Sequence, residues 1–166
     1  MTAGSTYTPI ATTTLSSNTA SVTFSSISGS YTDIILVAMT QRVTATTNTN
    51  FQVGNGSIDT GTNYSNTAIY GDGTNAASYY EQNQSRLNAG STTANWQTQI
   101  IQFMNYSNTT TYKTILTRQS NSGAAAQALV GLWRSTSAIN TVKLYLADGN
   151  NFLSGSTFTL YGILSA

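Results

Sequence analysis

The chain has no cysteine, no histidine, a single proline (Pro9) and few charges, with six Lys or Arg and five Asp or Glu in 166 residues. Each shortage removes a class of function. Without cysteine there are no disulfides, no thiolate nucleophile and no zinc-finger framework. Without histidine neither a Ser–His–Asp nor a Cys–His arrangement can be built, and the usual neutral-pH acid–base is missing. One proline excludes collagen-like and proline-rich order. Charged residues make up 7% of the chain, against about 25% in an ordinary soluble domain. Arg42, Arg86, Lys113, Arg118, Arg134 and Lys143 are scattered and form no basic run. That argues against nucleic acid and against an anionic membrane surface as partners. The longest aliphatic run, residues 34–39, is far short of the ~20 residues of a membrane-spanning helix. The first nine residues have neither a basic nor an apolar segment, so no signal peptide is expected.

What is present is neutral polarity, since Thr, Ser, Asn and Gln account for 76 residues. The hydrophobic share of 39%, with ten Tyr, five Phe and two Trp, is enough for a core and argues against disorder. The expectation is a normal core covered by uncharged polar groups. The length fits one domain over residues 1–166, with 1–9 as an extended N-terminal arm.

The hydrophobic period is two. Ala20–Ser25 alternates, with Val22 and Phe24 on one face; Asn140–Ala147 repeats this with Val142, Leu144 and Leu146, and Ser156–Leu164 with Phe158, Leu160 and Leu164. Such alternation marks half-buried antiparallel strands. Further strands are expected near 6–14, 32–42, 49–54, 66–71, 96–104, 111–119 and 127–134, where Thr, Val, Ile, Tyr and Phe dominate. The 32–42 stretch is apolar on both faces, as in a strand whose outer side is covered by a loop or another subunit. Asn55-Gly56 and Asp148-Gly149 are the dipeptides of type I′ turns, and Gly71-Asp72-Gly73 and Ser122-Gly123 punctuate likewise. No helical stripe occurs; Ala124–Ala128 is the only cluster of helix formers. About ten short strands between turns predict an all-β, antiparallel sandwich. Periodicity does not choose between immunoglobulin-like and jelly-roll topology.

Candidate chemistry is sparse. A Ser–Lys pair would need Lys113 or Lys143 desolvated beside a serine, and Lys143 lies on the polar phase of its strand. Glycoside cleavage needs two facing carboxylates, for which Asp59, Asp72 and Glu81 are the candidates. Asp59 and Asp72, however, stand in ordinary turn contexts, and Asp33 and Asp148 have structural explanations too. Asn55, Asp59 and Asp72 could offer oxygens to calcium, but their spacing matches no EF-hand loop. No phosphate-cradling glycine motif precedes a helix, and no cofactor is expected. The five Asn-x-Ser/Thr triplets are what this composition produces by chance. Trp96 and Trp133, each on an expected strand, read as core.

Tyr64, Tyr70, Tyr79 and Tyr80 cluster with Asn63, Asn66, Asn75 and Gln82 between residues 63 and 82. Tyrosine beside small polar residues gives rigid amphipathic contact area, as in sugar-stacking or protein-docking loops. The competing reading is that some of these rings complete the core with their hydroxyls at its rim. The candidate interaction surface is Tyr7, Pro9, Asn63, Tyr64, Tyr70, Asp72, Tyr79 and Tyr80.

The ordered set Thr6–Leu15, Ala20–Ile27, Tyr31–Leu36, Phe51–Gly56, Asn63-Tyr-Ser, Tyr70–Gly73, Leu129–Trp133, Ala138-Ile139 and Leu160–Ile163 resembles a family of small virion proteins of tailed bacteriophages, especially cyanophages. The likeness spans nearly the whole chain and is weakest over 75–95. It implies a jelly-roll fold and a non-enzymatic role, with no catalytic residues. The expected function is capsid decoration, cementing the outer face of a phage head as a homo-oligomer, a trimer, in contact with the major capsid protein. The alternative is a tail or tail-fibre component that binds surface glycans. Either places the protein in the virion, after synthesis in the host cytoplasm.

Overall fold

The structure, a computed structural model, describes residues 6–43, 46–121 and 125–164. In chain order the strands are β1 (Tyr7–Thr14), β2 (Ser21–Phe24), β3 (Asp33–Thr40), β4 (Thr47–Asn55), β5 (Ser57–Ile58), β6 (Tyr64–Gly71), β7 (Ala76–Gln84), β8 (Leu87–Thr92), β9 (Gln97–Phe103), β10 (Lys113–Ser120), β11 (Ala126–Trp133), β12 (Thr141–Leu146) and β13 (Thr157–Ile163). All pairings are antiparallel. No helix among the described residues is long and apolar enough to cross a membrane.

Two sheets face each other. The larger has the order β1-β13-β3-β9-β10-β11-β6-β7; the smaller is β2-β12-β4, with β5 and β8 both paired to β4. Eight strands make a jelly roll: β1-β13-β3-β9 lies over β2-β12-β4-β8, and the chain crosses repeatedly between the layers. The alternating segments form this sandwich because each must bury one face. Leu36, Ile101, Phe103, Phe158 and Leu160 come from one layer; Val22, Phe24, Phe51, Val53, Val142 and Leu144 come from the other. Phe51 and Phe103 meet edge to face across the layers at 5.9 Å.

Several expectations need correction. Residues 7–9 of the expected arm are the start of β1, with Tyr7, Thr8 and Pro9 in register with Ile163, Gly162 and Tyr161. The first five residues, the turn at Ser122-Gly123 and Ala124 lie outside the described residues. Between 72 and 95, where no strand was expected, β7 and β8 occur. Asn55-Gly56 and Asp148-Gly149 do turn the chain, yet only the glycines have positive φ, 78° and 75°, so neither turn is type I′. The first is instead held by Asn140, whose Oδ1 accepts from the Gly56 amide at 2.6 Å. Trp96 precedes β9 and is exposed rather than core.

The polar excess does not only cover the molecule. Thr40, Thr49, Thr92, Thr93, Gln97, Gln99 and Asn121 are buried together between the layers. Gln99 Nε2 donates to Thr49 Oγ1 at 2.9 Å, Gln97 Nε2 to Thr40 Oγ1 at 2.9 Å, and Asn121 Nδ2 to Gln97 Oε1 at 2.9 Å. Each amide supplies both donor and acceptor, so a neutral network can satisfy itself without desolvating a charge.

Candidate functional site

Two insertions enlarge the jelly roll. β10 and β11 lie between β9 and β12 in the chain, and β5–β7 lie between β4 and β8. Together β10, β11, β6 and β7 extend the larger sheet well beyond the smaller one. The inner face of this extension is covered by β8. Gly131 allows the approach: a Cβ there would stand 2.8 Å from Leu87 Cδ2. Polar contacts complete the layer. The Asn88 amide donates to Asn66 Oδ1 at 3.0 Å, Asn88 Nδ2 to Tyr79 Oη at 2.8 Å, and Gln127 Nε2 to Ser91 Oγ at 2.9 Å.

The outer face has no such cover among the described residues. Its side chains stand in register across the strands. One row runs Ile35, Gln102, Leu116, Val130, Thr67, Tyr80. The next runs Val37, Ile100, Arg118, Ala128, Ile69, Ser78. Exposure is greatest on the outer two strands of the extension, with Leu116 at 36% and Val130 at 48% but Ile69 at 64% and Tyr80 at 60%. Ile100, Leu116, Val130 and Ile69 line a depression of about 490 Å³. Arg118 lies within it, exposed, and makes no ion pair among the described residues. Large apolar side chains left in contiguous rows on an open sheet mark a surface built for contact. These residues were not singled out from sequence. The signal was present: Ile115-Leu116 and Leu129-Val130 place apolar side chains on consecutive, hence opposite, faces.

The tyrosine cluster is a hairpin, not a loop, and alternation divides it. Tyr64 is fully buried and leaves the candidate surface. Its hydroxyl shares its one proton between the carbonyls of Val53 (2.9 Å) and Asp59 (2.8 Å) and accepts from the Val53 amide at 3.2 Å, and burial pushes its pKa up. Tyr70 and Tyr79 lie on the inner side as a tilted pair with centroids 6.5 Å apart. Tyr80 is on the outer face, in the row with Val130. Asn63 is exposed and donates to Asp59 Oδ2 at 2.9 Å. Tyr7 and Pro9 are at the opposite edge of the sheet, where Tyr7 meets Tyr161 edge to face at 6.2 Å. The eight candidates therefore form no single site.

The carboxylates are occupied structurally. Partial burial would raise the pKa of Asp59, but hydrogen bonds from the Trp133 indole (2.8 Å), Asn63 and the Gly61 amide (2.8 Å) outweigh it and hold it below the ordinary value. Asp72 caps the β6–β7 turn, accepting from the amides of Asn75 and Thr74, which also lower its pKa. Glu81 faces Arg86 at 3.5 Å and stands opposite Asn66. Asp72 stands opposite Asn75, and Glu81 is six strand residues further on, so roughly 20 Å separates them. Glycosidase pairs stand about 5–9.5 Å apart. Asn55 Oδ1 accepts from Asn140, and Asp59 and Asp72 lie beyond opposite ends of β6. Among the described residues no three His, Cys, Asp or Glu cluster. Lys113 is buried, which lowers its pKa, and its Nζ donates to the carbonyls of Thr111 (2.8 Å) and Thr136 (3.3 Å) rather than meeting a serine.

Comparison with known proteins found no matching family model and no significantly similar curated protein.

Proposed function

We propose that the chain is a non-enzymatic virion structural protein of a tailed phage, a decoration protein that binds the outer head surface and stabilises the shell. The observation that carries this reading is the open face of the extended sheet, with Ile69, Leu116 and Val130 exposed around Arg118. The jelly roll and the strand order on which the family likeness rests support it. A partner surface that is apolar and carries one acceptor, a carboxylate or a carbonyl, would complete this face. Stabilisation follows by mass action, because a ligand that binds only the assembled shell favours that shell.

Purified heads with and without the protein, heated in parallel, test the reading. Heads that carry it should open at a higher temperature. Equal stability, or a micrograph placing the protein on the tail, would overturn it. The second outcome, joined by hits on a glycan array, would favour a tail module that binds host sugars.

A further inference from the structure

Among the strands, β7 stands out by its edge. It is the terminal strand of the larger sheet, pairs among the described residues only with β6, and is exposed over Ala76–Ser78 and at Tyr80. Its hydrogen-bond phase follows from the turn. Asp72 donates its amide to the Asn75 carbonyl at 3.1 Å, so the bonded positions alternate from there. Ala77, Tyr79 and Glu81 turn their backbone groups toward β6, while Ala76, Ser78 and Tyr80 turn theirs outward. The Gln84 side chain, 2.9 Å from the Gln82 carbonyl, and Asn83 at φ 51° close the free stretch at its far end.

Natural sheets blunt such edges with proline, lysine, bulges or very short strands. The other edges here follow that rule. β1 carries Pro9 and a register shift between Pro9 and Ala11, and β2 is four residues long. The free stretch of β7 has no proline, no lysine and no bulge.

We propose that β7 pairs antiparallel with β7 of a second copy about a two-fold axis at Ser78, joining two larger sheets into one. This rests on the reading of the chain as an assembling structural protein and replaces the expected trimer with a two-fold contact. The sequence of the strand favours this occupant. With Ser78 opposite the partner's Ser78, Tyr80 faces the partner's Ala76 and Tyr79 faces the partner's Ala77. Each large ring meets a small side chain, on both faces of the sheet. The strand's one charge, Glu81, falls outside the paired stretch and is already matched by Arg86. Pairs at 76, 78 and 80 would exchange about six backbone hydrogen bonds. The apolar rows, which reach β7 through Ile69 and Tyr80, continue into the second copy and leave the outer face of the joined sheet free for the shell.

Sedimentation of the isolated protein, over roughly 1–300 µM because an edge contact is small for a stable interface, tests this. The wild type should form dimers. Ser78→Glu and Ser78→Lys each place like charges at the axis and should weaken dimerisation about tenfold at low salt. Mixing the two folded variants should restore dimers, because opposite charges then meet. A monomeric or trimeric wild type, dimers unaffected by Ser78→Glu, or a mixture that stays monomeric would overturn the proposal. No heads are used, so failure here is distinct from failure of head binding.

Discussion

Gln99 on β9 donates to Thr49 on β4 across the two layers, 2.9 Å apart, and neither side chain reaches solvent. The same Nε2 lies 3.3 Å from Thr92 Oγ1, which itself bonds to Thr49. A core made this way has its polar partners fixed by geometry, so one substitution leaves several groups unpaired.

Replacing Gln99 by Leu should destabilise the protein by about 2–4 kcal/mol, because buried donors and acceptors lose their partner. The melting temperature should fall by roughly 5–12 °C. Thr49→Val added to Gln99→Leu should cost less than the sum of the two, since both break the same bond. Additive losses in thermal denaturation would show that the network is not coupled.

Asp59 should make stability sensitive to acid. Its folded pKa lies below the unfolded value of 3.8, so its contribution is present above that value and lost as pH falls through the folded one. Asp59→Asn should therefore be less stable than wild type near neutrality. The gap should narrow below about pH 4 as the wild-type carboxylate takes up its proton. Denaturant midpoints measured from pH 2 to 7 check this, and a constant gap would contradict it.

Leu116→Asp and Val130→Asp change partly exposed positions where aspartate fits a strand poorly, so stability should fall by about 1 kcal/mol with the fold retained. Head binding should be lost in both. Arg118→Glu should weaken binding if the shell supplies an acceptor. Co-sedimentation of each variant with heads measures the effect, and unchanged binding by all three would remove this face from the contact.

The association of copies should be nearly independent of salt. Backbone hydrogen bonds and apolar pairs are screened far less than exposed charge pairs, and Ala76–Tyr80 contains no charge. Sedimentation at low and at about 0.5 M salt should give the same dissociation constant. Dissociation by moderate salt alone would contradict the proposed contact.

Period-two patterning determined much of this protein. Val22 and Phe24, Val142, Leu144 and Leu146, and Phe158 and Leu160 alternate with polar residues, and all are core residues of a β-sandwich. β7 was not legible. Ala76–Gln84 has small, aromatic and amide side chains without hydrophobic alternation, because neither of its faces is deeply buried. Its partner β6, not its own composition, makes it a strand. Alternation also assigns a side chain to a face without saying what lies over that face. Ile34 and Leu116 are both aliphatic strand residues, yet one is sealed by the opposite sheet and the other stands in the open. The same holds for polarity: Gln99 is buried and Gln82 exposed. Those outcomes belong to the tertiary structure, where the larger sheet outgrows the smaller one. Burial depends on the layer opposite, and that layer is assembled from strands far away in the chain.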